Sequence, residues 1–396
     1  MQIGKVLVAA AVVLACAPAA AARAATPTVV AVGDSAISGE AGRWAGNTNG
    51  DPSRTDALGP TAYYDNASNT AETIPGCHRS KSAEVLIGGG VIGVNLACSG
   101  ARTYTHTGDD GAFKPGLDFY DANGQVGQAL ALENYAKTHP ANRIKAVVVL
   151  IGSNNYGFAT IVQDCVEDWL LSPSWWKNYC QDDSTEKAMF SASNIATVTA
   201  QVKQAYLNIH QAMAAAGYAD SSYTILAQTY WSPLPNGSGI RYPETGFTRQ
   251  STGGCGVWNK DADWANATVV NTFNSTIKNA MAQTGLTNIK LLDMQNALVG
   301  RRLCENTVGL LEEKGVASWR SAGAVDKSEW VEQIRTITTL LPPYQLQEDG
   351  HADYWGQLAM RNCLRQAYNG GAVKGGACRR GTGLDSAGEP NMTLAG

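Results

Sequence analysis

Apolar residues in this chain fall in short runs that alternate with segments of helical spacing. Val29-Val30-Ala31-Val32 is unbroken and stops at Gly33-Asp34-Ser35, the pattern of a buried strand that ends in a turn. Residues 91–97 predict a second strand, closing in Cys98-Ser99-Gly100-Ala101. Ala146-Val147-Val148-Val149-Leu150-Ile151 predicts a third, closing in Gly152-Ser153-Asn154-Asn155. Residues 223–230 and 289–294 predict two more. Residues 126–137 have apolar positions at helical spacing, 195–216 read as a long alanine-rich helix, 264–284 as a further helix, and 351–368 as the last. Continuous apolar strands alternating with helices predict a parallel sheet covered on both faces.

The intervening segments add detail. Residues 39–73 are polar and rich in Gly, Asn and Asp, as a long connection should be. Residues 156–193 stand apart, with Trp169, Trp175 and Trp176, a run of acids and two cysteines. They follow a strand end, so they are either an active-site wall or lid, or a disulfide-stapled surface excursion. No repeat and no linker divides residues 26–369, which read as one domain. The Gly-rich residues 370–396 are expected to be an irregular tail.

The first 25 residues read as a secretory signal. Lys5 precedes the apolar residues 6–15, and small residues lead to Ala22-Arg23-Ala24-Ala25. Val13-Leu14-Ala15-Cys16 loosely resembles a lipobox, so anchoring through Cys16 is the alternative, with Leu14 a poor fit. No later segment is long and apolar enough to span a bilayer. The net charge of −4, with no basic stripe, argues against a nucleic-acid partner.

Nine cysteines are present. Loss of Cys16 with the signal leaves an even set, which in an exported chain implies disulfides. Pairing in chain order is expected, because each pair brackets one loop region: Cys77 with Cys98, Cys165 with Cys180, Cys255 with Cys304, Cys363 with Cys378. A zinc site is disfavoured by the lack of Cys-x-x-Cys and by the scattered histidines.

Ser35 sits at the carboxyl end of a strand, where ligands of open α/β sheets collect. The bland alternative is that Asp34 or Ser35 only caps a helix. Other strand ends supply what a nucleophilic serine needs. Gly100 offers an unobstructed backbone N–H, and Asn154 an amide suited to a tetrahedral oxyanion. Gln347-Glu348-Asp349-Gly350-His351 offers an imidazole just before a helix.

With these blocks in this order, the chain resembles the SGNH hydrolases, also called GDSL esterases and lipases. Gly33-Asp34-Ser35 resembles the nucleophile block and Asn95-Leu96-Ala97-Cys98-Ser99-Gly100-Ala101 the glycine block. Gly152-Ser153-Asn154-Asn155 resembles the Gly-x-Asn-Asp block, and Asp349-Gly350-His351 the histidine block. Secreted actinobacterial members are the nearest likeness, and their cysteine count and sequential pairing fit this chain. The resemblance implies that Ser35 attacks an ester carbonyl and His351 acts as base. It also implies that the Ser35 N–H, the Gly100 N–H and the Asn154 side chain form the oxyanion hole. Two departures stand out. Asn155 replaces the usual aspartate, which affects a position behind the donor Asn154. Glu348 occupies the place of the acid three residues before the histidine, and is expected to assist His351. Asp349 or a main-chain carbonyl are the alternatives.

Together these readings predict a three-layer α/β/α sandwich with a parallel sheet of about five strands. They predict a secreted monomer that hydrolyses carboxylic esters without metal or organic cofactor, with lipid, acylated-sugar or phenolic esters as substrates and no stable membrane insertion. Acyl transfer, or a non-catalytic sugar- or lipid-binding role on the same scaffold, are the alternatives. His78, His106, His139 and His210 read as structural or surface residues, the Arg301-Arg302 pair as solvated surface, and most aromatics as core or rim. No Gly-x-Ser-x-Gly elbow occurs.

Overall fold

The computed structural model describes residues 25–108, 111–335 and 348–396. The expected signal up to residue 24, the alternative anchor Cys16 and Gln347 lie outside these residues.

The central sheet is built from β1 (Thr26–Gly33), β2 (Ile92–Asn95), β3 (Asn142–Leu150), β4 (Thr224–Gln228), β5 (Ile289–Asp293), β6 (Gly376–Leu384) and β7 (Pro390–Ala395). The strand order is β7-β6-β5-β4-β3-β1-β2. Every pairing from β2 through β6 is parallel, and β6 pairs β7 antiparallel. All four residues of β3 from Val147 to Leu150 are buried, so side chains on both faces of the sheet are covered. Burying each Val or Leu in this way is worth about 1.5–3 kcal/mol. That is why the apolar runs locate these strands so well.

Two expectations are corrected. The sheet has seven strands rather than about five, and the extra two come from the segment expected to be an irregular tail. Neither extra strand carries a continuous apolar run. In β7 the buried positions alternate as Pro390, Met392 and Leu394, the signature of a half-exposed strand at a sheet edge.

The helices that bear on the site are α1 (Ser35–Ser38), α2 (Gln128–Thr138), α3 (Phe158–Leu171), α4 (Ala192–Ala215), α5 (Asn271–Gln283) and α6 (Tyr354–Tyr368). Helix α4 packs against both α2 and α5. Helix α6 packs on β6 and β7 and grips the long β1–β2 connection. Its Gln357 Nε2 donates to Ala36 O at 3.3 Å, Arg361 Nη2 to Ala83 O at 3.1 Å and Arg365 Nε to Ile87 O at 2.6 Å.

The four disulfides join cysteines in chain order, as expected. Cys363–Cys378 ties α6 to β6, and Cys165–Cys180 fastens α3 to the segment that follows it. The topology also places a crevice. Strand β1 lies between β2 and β3, so the chain reverses direction across the sheet there. The carboxyl ends at such a switch point diverge and leave room for a ligand.

Candidate active site

The turn after β1 begins with a glycine that nothing else can replace. Gly33 has φ +138°, and a Cβ there would lie 1.9 Å from the Leu150 carbonyl oxygen on β3. Gln128, near the start of α2, clamps the same residue: its Oε1 accepts from Gly33 N at 2.7 Å and its Nε2 donates to Gly33 O at 2.8 Å. Asp34 then caps α1 by accepting from Ala36 N at 3.1 Å. Its other oxygen accepts from Ser153 Oγ at 3.1 Å and from the Tyr230 hydroxyl. One buried carboxyl therefore joins the ends of β1, β3 and β4. Burial pushes its pKa up to about 7, against the hydrogen bonds from Tyr230, Ala36 and Ser153. The cap was legible in the sequence. The bonds to Ser153 and Tyr230 were not, because they depend on which strands are neighbours.

Ser35 and His351, 316 residues apart, meet here: His351 Nε2 lies 2.7 Å from Ser35 Oγ. His351 Nδ1 lies 3.1 Å from the Asp349 carbonyl oxygen. A carbonyl only accepts, so Nδ1 carries the proton and Nε2 is left as the acceptor for the serine hydroxyl. Burial lowers the His351 pKa below the usual histidine value, while the Glu40 charge and the Asp349 and Glu348 carbonyls act the other way. A base that stays neutral to lower pH should keep working there. We expect the acid limb of kcat/KM to fall below the ordinary histidine value of about 6.5. An acid limb at or above that value in a pH–rate profile would contradict this environment.

The expectation that the Glu348 side chain assists His351 is corrected. His351 N donates to Glu348 O at 3.2 Å, closing a tight turn through Gly350, which has φ +73°. That turn aims main-chain oxygens at the ring and sends the side chain elsewhere. The Glu348 carboxylate accepts from Trp44 Nε1 at 2.8 Å and from the Tyr63 hydroxyl, and burial raises its pKa. The Asp349 carboxylate accepts from Arg335 N at 3.0 Å, and burial pushes its pKa up to about 8. Glu348 therefore anchors the loop that carries His351. Glu348→Gln keeps the shape of that anchor, and we expect it to lower kcat by less than about tenfold, whereas His351→Ala removes the base and costs about 10⁴. Equal losses in the two variants, measured on one soluble ester, would contradict this placement.

His78 is buried against Glu40, with Nδ1 2.5 Å from Glu40 Oε1. Burial opposes its charge, but Glu40 and Glu72 outweigh it and push the pKa to about 9.

The segments that carry the expected oxyanion donors are bonded to one another. Cys98 N donates to Gly33 O at 3.0 Å, Ser153 Oγ to Asp34 at 3.1 Å, and Asn154 Nδ2 to Ala101 O at 3.0 Å. These links draw the nucleophile, glycine and asparagine blocks together, and Cys77–Cys98 braces the glycine block. Gly100 takes φ +75°, a conformation glycine adopts at no steric cost. One Asn154 amide hydrogen is engaged by Ala101 and the second remains. Asn155 sits behind, bonded through Nδ2 to Thr103 Oγ1 at 2.7 Å and Gln201 Oε1 at 2.8 Å.

Beside Ser35 and His351 opens a cavity with an almost wholly apolar lining. Phe158, Ile161 and Val162 of α3 form one wall, and Trp264, Val269 and Phe273 another. The second wall runs through one π-helical stretch, Ala265–Val270, inserted before α5. Such widened turns re-aim side chains and gather at functional sites. Sequence reading offered residues 156–193 as a wall or a surface excursion, but it gave no sign of the second wall, whose residues look like ordinary core. Phe158, Ile161 and Val162 belong to residues 156–193, the stretch that Cys165–Cys180 staples. Arg301 and Arg302 are engaged by Asp326 at 2.9 Å and Glu305 at 2.6 Å, and they do not line this cavity.

No family model matches the chain, and no curated protein does. Solved structures similar to it include two hydrolases. An extracellular lipase from Streptomyces rimosus is 16% identical, with 86% of this chain and 99% of that chain covered and a TM-score of 0.43. A family two carbohydrate esterase from Clostridium thermocellum, in complex with cellohexaose, is 10% identical, with 89% and 66% covered and a TM-score of 0.38.

Proposed function

We propose that the chain is a secreted serine esterase of SGNH type, acting as a monomer on carboxylic esters with an aliphatic acyl group. The observation that carries this reading is the 2.7 Å contact between His351 Nε2 and Ser35 Oγ at the edge of the apolar cavity. Ser35 Oγ attacks the ester carbonyl carbon as His351 Nε2 takes the hydroxyl proton. The carbonyl oxygen becomes an oxyanion held by Ser35 N–H, Gly100 N–H and Asn154 Nδ2, each worth about 3 kcal/mol in the transition state. Collapse breaks the bond to the alcohol oxygen, which leaves with the proton from His351. Water then repeats the sequence on the acyl-enzyme and frees the acid. The Asp349 carbonyl holds the imidazole in the tautomer that both halves need.

The apolar lining supports an alkyl acyl chain over a feruloyl or sugar group in the cavity, with the alcohol outside. The test is a panel of nitrophenyl esters beside feruloyl and acetyl-sugar esters. Rates should rise from acetyl to medium-chain acyl groups and be lowest for feruloyl. Turnover of no ester in the panel would overturn the reading. The disulfides support an exported protein, because such bonds persist in oxidising compartments.

A further inference from the structure

The large apolar residues most exposed to solvent are concentrated in one place. Leu171 is 83% exposed, Trp175 82%, Trp176 74% and Phe247 70%. Leu171 ends α3, and Trp176 N donates to Pro173 O at 2.9 Å, so both tryptophans sit in a tight turn just beyond it. Lys177 joins that turn to the second segment, pairing with Glu244 at 2.6 Å and lying over the Trp258 ring at 4.9 Å. Phe247 stands edge-on to Trp169 of α3 at 6.3 Å. Cys165–Cys180 closes the segment that carries the turn. The patch is therefore displayed on a braced scaffold. Leaving two indoles in water is costly, and contiguous apolar surface of this kind marks an interaction site.

We propose that Leu171, Trp175, Trp176 and Phe247 form a docking surface for the interface of a net-neutral, zwitterionic phospholipid bilayer. This rests on the ester-hydrolase reading for its purpose, since α3 carries the patch at one end and a cavity wall along the rest. Three observations choose this occupant. Indoles have an apolar body and a polar N–H, the combination that settles at the headgroup boundary. The Trp175 and Trp176 rings stand at 87° to one another, so they form no flat platform on which a polysaccharide's sugar faces stack. The segment around the turn carries Asp164, Glu167, Asp168, Asp182, Asp183 and Glu186 against Lys177 and Lys187; Lys177 is paired with Glu244, Lys187 donates to the Asp182 carbonyl, and the neighbouring Lys260 is paired with Asp182. An anionic surface is repelled by such a rim, whereas a neutral one is not. No helix among the described residues is long and apolar enough to cross a membrane, so the contact is peripheral.

The test compares the wild-type chain with Trp175→Ala/Trp176→Ala, whose exposed positions leave the core untouched. Binding is measured by co-sedimentation with phosphatidylcholine vesicles, with vesicles enriched in phosphatidylglycerol, and with insoluble cellulose and xylan. Hydrolysis of soluble nitrophenyl acetate is followed in parallel. The proposal predicts binding to phosphatidylcholine, weaker binding to the anionic vesicles, and at least about tenfold weaker vesicle binding by the variant, with its rate on the soluble ester unchanged. It is overturned if the wild type ignores phosphatidylcholine, if the variant binds equally, or if the tryptophans instead retain the chain on cellulose or xylan. Vesicle binding without turnover of any ester would sink the esterase reading and leave the surface standing. Turnover without vesicle binding would do the reverse.

Discussion

Ser35→Ala will lower ester turnover by about 10⁴ or more while the protein stays folded. The magnitude follows from removing the nucleophile of a unit whose members act together, leaving only the oxyanion donors and substrate binding. The fold is spared because the Ser35 hydroxyl bonds His351, whereas the bonds that hold the turn belong to neighbours. Asp34 keeps Ala36, Ser153 and Tyr230, and Gln128 keeps Gly33. Thermal midpoints of the two proteins should agree within a few degrees. Steady-state assays on one medium-chain ester, beside a melting curve, check both halves. Retained turnover would remove Ser35 from the role given to it.

Gly33→Ala will have the opposite profile, with activity lost because the fold gives way. The added methyl lies 1.9 Å from Leu150 O and 2.8 Å from Leu150 C, and both are main-chain atoms of a neighbouring strand that cannot step aside. The φ of +138° adds backbone strain for any residue with a Cβ. Relief requires β1 and β3 to part where Asp34 N donates to Leu150 O at 3.0 Å, in the centre of the core. We expect destabilisation beyond about 4 kcal/mol, the range reserved for severe overpacking and strain. Denaturant unfolding, or failure to recover soluble protein, measures it. A variant with near wild-type stability would show that the β1–β3 contact is looser than described.

These two neighbours show what was legible in the sequence. The run at residues 29–32 announced a buried strand because burial on both faces demands unbroken apolar residues, and the same logic located β3, β4 and β5. It missed β6 and the edge strand β7, whose partly exposed positions tolerate Gly, Arg and Thr. Ser35, Gly100, Asn154 and His351 were legible because each sits at a strand end or beside a turn with its own local signal. The partner of His351 was not. Whether a carboxylate or a carbonyl faces Nδ1 is decided by the turn through Gly350 and by the pull of Trp44 and Tyr63 on Glu348. Those partners lie about three hundred residues away, and no spacing rule connects them. The Asp34–Tyr230 bond and the cavity wall through residues 264–273 were hidden for the same reason.

The most direct test of the account is covalent labelling with a fluorophosphonate, read by intact mass and peptide mapping. One adduct per chain is predicted, on Ser35, with labelling that collapses in His351→Ala and survives in Glu348→Gln. An adduct on another serine, or no adduct on a folded chain, would contradict it.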